Sequence, residues 1–241
     1  MALTRHSVRA AVRRRYLGRA YPLDGIMKTA VVVGASSGIG RELAKVLASN
    51  DYVVGLAARR LNLLSQLQAE LPAPSVIKVM DVSRPTETRV LLQELIREMN
   101  GVDVFVISAG TGFLNPDLDW EREQDTVTVN VTGFMAIANV AAEHLQARGT
   151  GHLVGISSLA ALRGHGEAPA YNASKAFVSN YLQGLRQKFS KLHLPIIVTD
   201  VQPGFVDTAM AKGDVFWVTS PKQAAQQIFD AIRKQKKHAY V

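Results

Sequence analysis

The chain has 241 residues, 47% hydrophobic and 20% charged, which suits one globular domain of the larger α/β kind. It contains no Cys, which excludes disulfides, thiolate metal sites and a Cys nucleophile, and no apolar run of the roughly 18 residues that a membrane span needs. The net charge of +8 points to nucleic acid only until it is located: residues 1–27 hold six Arg against the single acid Asp24, a net +5, leaving +3 for the other 214 residues.

The basic excess therefore belongs to an arm, residues 1–26, ahead of the expected domain at 27–241. Three readings of the arm compete. It is Arg-rich and nearly acid-free, as transit peptides are. Its charge suits contact with nucleic acid or an anionic membrane, but beyond Tyr16 and Tyr21 no aromatic interleaving supports this. The plainest reading is a mobile upstream extension, because Met27-Lys-Thr-Ala-Val-Val-Val opens a strand directly. The expected location is the cytoplasm, or an organelle if the arm acts as a transit peptide.

From Thr29 the chain runs Ala-Val-Val-Val-Gly-Ala-Ser-Ser-Gly-Ile-Gly40, an apolar run ending in glycines at 34, 38 and 40. A short apolar run bounded by Gly suits a parallel strand buried on both faces. Gly34 permits a sharp turn, Gly38 lets backbone approach a phosphate, and Gly40 lets the next helix pack close. With Ile39 between them, Gly38 and Gly40 open a helix whose free N–H groups and positive dipole end would meet a pyrophosphate. A plain turn needs one glycine or two, not three.

Strands are predicted at about 28–33, 52–57, 75–79, 102–107, 152–157 and 195–201, and helices at about 38–49, 61–71, 85–99, 119–148, 170–191 and 220–235. Such alternation predicts right-handed crossovers and a doubly wound, Rossmann-type parallel sheet with helices on both faces. Pro85 and Pro221 fall in first helical turns, Gly149 and Gly151 close the long helix, and His238-Ala-Tyr-Val241 reads as an added edge strand. The six His are scattered, so no metal site is expected.

In a doubly wound sheet, ligands gather beyond the carboxyl ends of the strands. After the second strand, where an acid would hold a free ribose 2′-hydroxyl, stand Ala58, Arg59 and Arg60. Arg suits a 2′-phosphate, so NADP(H) is expected in preference to NAD(H), with Ser36, Ser37 and Arg41 as further donors. Asp81-Val82 stands where an adenine edge would lie, though Asp81 equally suits a cap for the next helix. Ser108-Ala109-Gly110 is small enough for a cofactor to lie against backbone. Ser158 ends the fifth strand, and Tyr171 and Lys175 lie one helical turn apart downstream. A Lys ammonium beside a Tyr hydroxyl lowers the Tyr pKa from about 10 and equips the pair to pass a proton.

These pieces together resemble the short-chain dehydrogenase/reductase family in its compact, single-domain form, over residues 28 to about 235; Tyr171-Asn-Ala-Ser-Lys175 with Ser158 and the glycine stretch is specific as a set. The resemblance implies Tyr171 as general acid/base, with Lys175 lowering its pKa and holding the nicotinamide ribose. It further implies that Ser158 orients the substrate oxygen and that Asn130 holds a water for a proton relay. Pro203, Gly204, Val206 and Thr208, in Pro-Gly-Phe-Val-Asp-Thr, would lie around the nicotinamide.

The chain departs from the family pattern at Ser108, commonly Asn, at Val33, commonly Thr, and in its brief end after the last helix, so a site wall or subunit contact is expected to be missing or remade. The expected substrate is an apolar carbonyl or secondary alcohol, from Leu159, Ala160, Leu162, His165, Ala168, Phe205, Phe216 and Trp217 near the site. Val206 to Thr219 is short for a lid. Apolar faces at 119–148 and 170–191, with the resemblance, point to a homodimer or homotetramer. The rival is a dinucleotide-sensing scaffold with little turnover, against which the intact Asn130, Ser158, Tyr171 and Lys175 stand.

Overall fold

Seven strands alternate with helices across the residues that the computed structural model describes, 27–207 and 218–241. The strands are β1 (Lys28–Val33), β2 (Tyr52–Ala58), β3 (Ser75–Val79), β4 (Val104–Ile107), β5 (Gly151–Ile156), β6 (Ile196–Gln202) and β7 (His238–Tyr240). All pair in parallel, in the order β3-β2-β1-β4-β5-β6-β7. The winding reverses between β1 and β4, where a doubly wound sheet opens its ligand crevice. The arm, Thr208, Phe216 and Trp217 lie outside the described residues, so the expectations placed on them stay as stated.

The helices are α1 (Gly38–Ala48), α2 (Leu61–Glu70), α3 (Pro85–Glu98), α4 (Trp120–Val127), α5 (Phe134–Arg148), α6 (Pro169–Lys191) and α7 (Pro221–Arg233). Successive strand residues point to opposite faces, so β1 supplies Ala30 and Val32 to one core and Val31 and Val33 to the other. The first core packs Leu43 and Leu47 of α1, Leu64 of α2 and Ile228 of α7; the second packs Leu92 of α3, Ile137 of α5 and Leu182 of α6. Pro85 and Pro221 begin their helices, and Ser220 caps α7 reciprocally with Gln223. Gly149, at φ 74°, closes α5. Val127 and Met135 stay exposed on the face expected to meet a second subunit.

Two expected elements are corrected. The continuous helix over 119–148 is interrupted by a π-helical turn, Thr128–Gly133. Gly133 abuts the loop after β3 so closely that a β-carbon would lie 2.5 Å from Val82 O, and Asn130 is tied sideways into the site, so the helix widens there to meet both. Inserted turns of this kind are frequent at functional sites. The fourth strand begins at Val104, not 102. A side chain captures the first of the two preceding amides, Val102 N donating to His144 Nε2 at 3.1 Å, while Asp103 N is shared between Thr29 O at 3.0 Å and Thr29 Oγ1 at 3.1 Å. The edge strand β7 forms beside β6, and Gly204 N donates to Val241 O at 2.8 Å, so the last residues brace the loop after β6.

Candidate active site

The glycine loop forms a cradle where β1 turns into α1. Gly34 has φ 94° and backs onto the end of β4, so that a β-carbon would sit 2.5 Å from Ala109 N. One on Gly40 would lie 2.4 Å from Gly34 O. Both contacts are with backbone, so neither yields to a rotamer change. Ser37, the N-cap of α1, makes no side-chain cap bond, and the first turn holds no acid. The opening N–H groups of α1 thus keep the free donors and positive dipole end that suit a pyrophosphate.

Beyond the cradle the structure separates the candidate arginines. Arg60 Nη2 donates to Ser36 Oγ and Ser37 Oγ, both at 2.8 Å, which leaves the two hydroxyl protons free to donate outward. Arg59 is exposed and lies near Asp81. Arg41, expected at the same phosphate, is instead paired with Glu70 at 2.5 Å, because α1 turns it toward α2. Asp81 is not a helix cap, that position being Arg84; its Oδ1 accepts from Ser83 N at 3.0 Å and Ser83 Oγ at 2.8 Å. Burial works against its charge, but the Ser83 bonds, with Arg59 and Arg84 nearby, outweigh it and hold the carboxyl below its usual range. Val82 is buried beside it.

Across the crevice, α6 and the ends of β4 and β5 bring the remaining candidates together. Lys175 is buried, its Nζ donating to Ile156 O at 3.0 Å and lying 5.8 Å from the Tyr171 ring centroid. Gly110 faces both Asn130 and Lys175, and Gly112 lies so close to Tyr171 that a β-carbon would sit 2.5 Å from Cδ2 of the ring. Ser158 Oγ accepts from Ala160 N at 3.1 Å, and Leu159 N donates to Pro203 O at 2.9 Å, joining the loops after β5 and β6. Val206 is buried and bridges to Thr219. Asn130 accepts from Thr111 N at 2.8 Å and donates to Thr111 O at 2.7 Å and Ser174 Oγ at 2.9 Å. Those bonds use both amide protons and one oxygen lone pair, so Asn130 braces the loop after β4 against α6.

The Tyr171 pKa is raised rather than lowered from its ordinary value, and burial rather than Lys175 sets that direction. Burial pushes the phenol up, opposed by a hydrogen bond with Ser158, while the ammonium spends its bond on the backbone of β5. Burial also pushes Lys175 down to about 8, opposed by the charge of Asp200, so the ammonium is still its major form at pH 7.

A family model described as short chain dehydrogenase matches residues 28–217. The chain belongs to that family. It is an oxidoreductase of the short chain dehydrogenase type. An uncharacterized oxidoreductase of Myxococcus xanthus is 36% identical over 210 residues, 85% of this chain and 81% of its own. Glycine betaine reductase ATRR of Emericella nidulans is 40% identical over 191 residues, 76% of this chain but 14% of that protein. Among solved structures, a single-residue variant of actinorhodin polyketide ketoreductase with NADPH superposes with a TM-score of 0.79 at 25% identity, covering 89% of this chain and 95% of that one.

Two residues of this dehydrogenase that the sequence motifs did not single out also tie the candidate site together. Asn172 Nδ2 donates to Ala160 O at 3.0 Å and Arg163 O at 2.8 Å, fastening the loop after Ser158 to α6. Ser174 Oγ links Asn130 to Tyr171 O, the latter at 2.8 Å. Both are buried and lie inside the Tyr171–Lys175 motif, and that position within the motif was the available signal. Gly112 carried no such signal, since its need for a bare α-carbon comes from a ring 59 residues away in sequence. Among the described residues no three His, Asp or Glu gather into a metal site.

Proposed function

We propose that this dehydrogenase interconverts an apolar carbonyl and its secondary alcohol with NADP(H). The observation that carries the reading is the convergence of Ser158, Tyr171 and Lys175 opposite an uncapped helix N-terminus, where Arg60 reaches across from the end of β2 to Ser36 and Ser37 of the glycine loop. The dinucleotide fits these residues: the glycine cradle and α1 would hold the pyrophosphate, Arg60 with the two serines the 2′-phosphate, and Lys175 the nicotinamide ribose. When bound, the cofactor supplies or receives the hydride. Ser158 donates a hydrogen bond to the substrate oxygen as charge develops there, and Tyr171 delivers the proton in reduction or takes it in oxidation. Lys175 balances the negative charge that Tyr171 acquires. Phe113, Leu159, Leu162 and Phe205, all exposed on the loops beyond the strand ends, give the crevice an apolar mouth.

The cofactor assignment predicts that NADPH binds about ten- to a hundredfold more tightly than NADH, because a hydrogen bond to a charged phosphate contributes roughly 1.5–3 kcal/mol. Arg60→Ala should close most of that gap in calorimetry, and equal affinities in the unaltered protein would refute the assignment. A panel of apolar ketones and aldehydes, followed by loss of reduced-nicotinamide absorbance, tests the reaction itself. NADPH binding without consumption across the panel would count against turnover.

The exposed Val127 and Met135 on α4 and α5 support a second proposal, a two-fold homodimer or homotetramer in which they are covered. Light scattering at micromolar concentration should return a multiple of the 26.2 kDa chain mass. A monomer mass under those conditions would contradict it.

A further inference from the structure

Directly beneath the candidate site lies a carboxylate that the proposed reaction does not use. Asp200 of β6 is fully buried, on the sheet face covered by α6. Its Oδ1 accepts from Ser157 Oγ, and its Oδ2 accepts from Ser179 Oγ at 2.5 Å and Gln202 Nε2 at 2.8 Å. Each of these donors belongs to a segment of the site. Ser157 precedes Ser158, Ser179 lies one turn beyond Lys175 on α6, and Gln202 precedes Pro203-Gly204.

No cation forms a hydrogen bond with Asp200 among the described residues. The titratable groups that face it are Lys175 and Arg186 from α6 and His238 from β7. Arg186 spends its donors elsewhere: Nε on Val198 O at 3.2 Å, Nη2 on Lys237 O at 2.9 Å and Nη1 on His238 Nε2 at 3.2 Å. His238 Nε2 is thereby an acceptor, and its Nδ1 stands 3.8 Å from Asp200 Oδ2. The side chains of β5 on this face, Leu153 and the bare Gly155, carry no charge, and His152 points to the opposite face. A carboxylate buried among neutral donors costs stability unless its charge is balanced. The row Lys175, Ser179, Leu182, Arg186 runs along one face of α6, which places Lys175 one turn from the residue that binds Asp200.

We infer that Asp200 is the positioning residue of the site and the buried counter-charge of Lys175, holding its ammonium in the charged form while clamping together the segments that carry Ser158, Lys175 and Pro203-Gly204. The consequence for turnover rests on the Tyr171 and Lys175 roles proposed above; the electrostatic claim does not. It is tested in the full-length protein labelled with ¹³C in Lys and Asp, the Lys175 resonance being assigned by its loss in Lys175→Met.

Asp200→Asn keeps the shape and removes the charge, and should lower the Lys175 titration midpoint by about one pH unit, with the alkaline limb of the kcat/KM profile moving down alongside it. Ser179→Ala removes one clamp bond and leaves the charge, so the midpoint should stay in place. A role in packing alone would cut stability in both variants and move neither midpoint. The same Lys175 midpoint in Asp200→Asn and the unaltered protein overturns the inference. If Asp200→Asn does not fold, the native protein decides: the Asp200 carboxyl carbon must show the ionised shift at pH 8, and a protonated one there overturns the inference as well. Undiminished turnover in Tyr171→Phe would instead defeat the mechanism and leave the Lys175 midpoint as a separate result.

Discussion

Tyr171→Phe lowers turnover by about 10²-fold or more, the scale for losing a general acid, while melting temperature and NADPH affinity stay where they were. The substitution removes one oxygen, losing its hydrogen bond with Ser158 but also the cost of burying a hydroxyl, two effects that oppose each other. The ring keeps its seat against Gly112, and the bond from Ser174 Oγ to the Tyr171 carbonyl is untouched, so α6 has no reason to shift. Burial holds the phenol protonated at neutral pH, the form that donates to a carbonyl oxygen in reduction. In oxidation the same burial opposes the phenolate, and the Lys175 ammonium must supply the compensation. The measurement is kcat on any carbonyl found active, with a deuterated cofactor to establish that chemistry limits the rate. An isotope effect with an undiminished rate would remove Tyr171 from the mechanism.

The second large effect is on stability in acid. His152 is buried on the face of β5 away from the site, with Nε2 2.7 Å from Thr199 Oγ1. Thr199 gives its only proton to Lys236 O, so it accepts from the His152 ring, which therefore carries its proton on Nε2. A second proton would place a charge in an apolar layer, and burial accordingly pushes the His152 pKa down from 6.5 to about 4. Between those values the unfolded chain binds more protons than the folded one. The stabilisation is thus complete above pH 6.5 and drains away as pH falls toward 4. Over that window it amounts to about 3 kcal/mol, at about 1.4 kcal/mol per pH unit, a sizeable part of the roughly 5–15 kcal/mol that holds a domain folded. Urea titrations at pH 7 and 4.5 should show this loss beyond what the carboxylates contribute, and His152→Gln should remove it. An equal pH dependence in the variant would mean that His152 does not carry the acid sensitivity.

The sequence by itself determined the parts that local chemistry encodes. The glycines at 34, 38 and 40 specify a turn of the bare backbone into a helix, and residues four apart share a helix face, so Tyr171 and Lys175 had to meet the same crevice. Apolar runs alternating with capped, amphipathic stretches leave few folds other than a doubly wound parallel sheet, and six of its seven strands fall within two residues of where the pattern put them, with the last short edge strand anticipated too.

What only the tertiary structure decided depends on groups distant along the chain and on the dielectric around them. Arg59 and Arg60 are alike in sequence, yet only Arg60 reaches Ser36 and Ser37, because the end of β2 and the start of α2 aim one side chain at the glycine loop and the other toward Asp81. Arg41 is lost to Glu70 for the same kind of reason, 29 residues away. The π-helical turn answers to Val82 and Thr111, neither of them a neighbour in sequence. The direction of the Tyr171 shift turns on burial, which no spacing reveals, and Asp200 reads as one polar residue in a strand until β5, β6 and α6 close around it. Sequence patterns report which groups share a local face; solvation and long-range pairing exist only once the layers are packed.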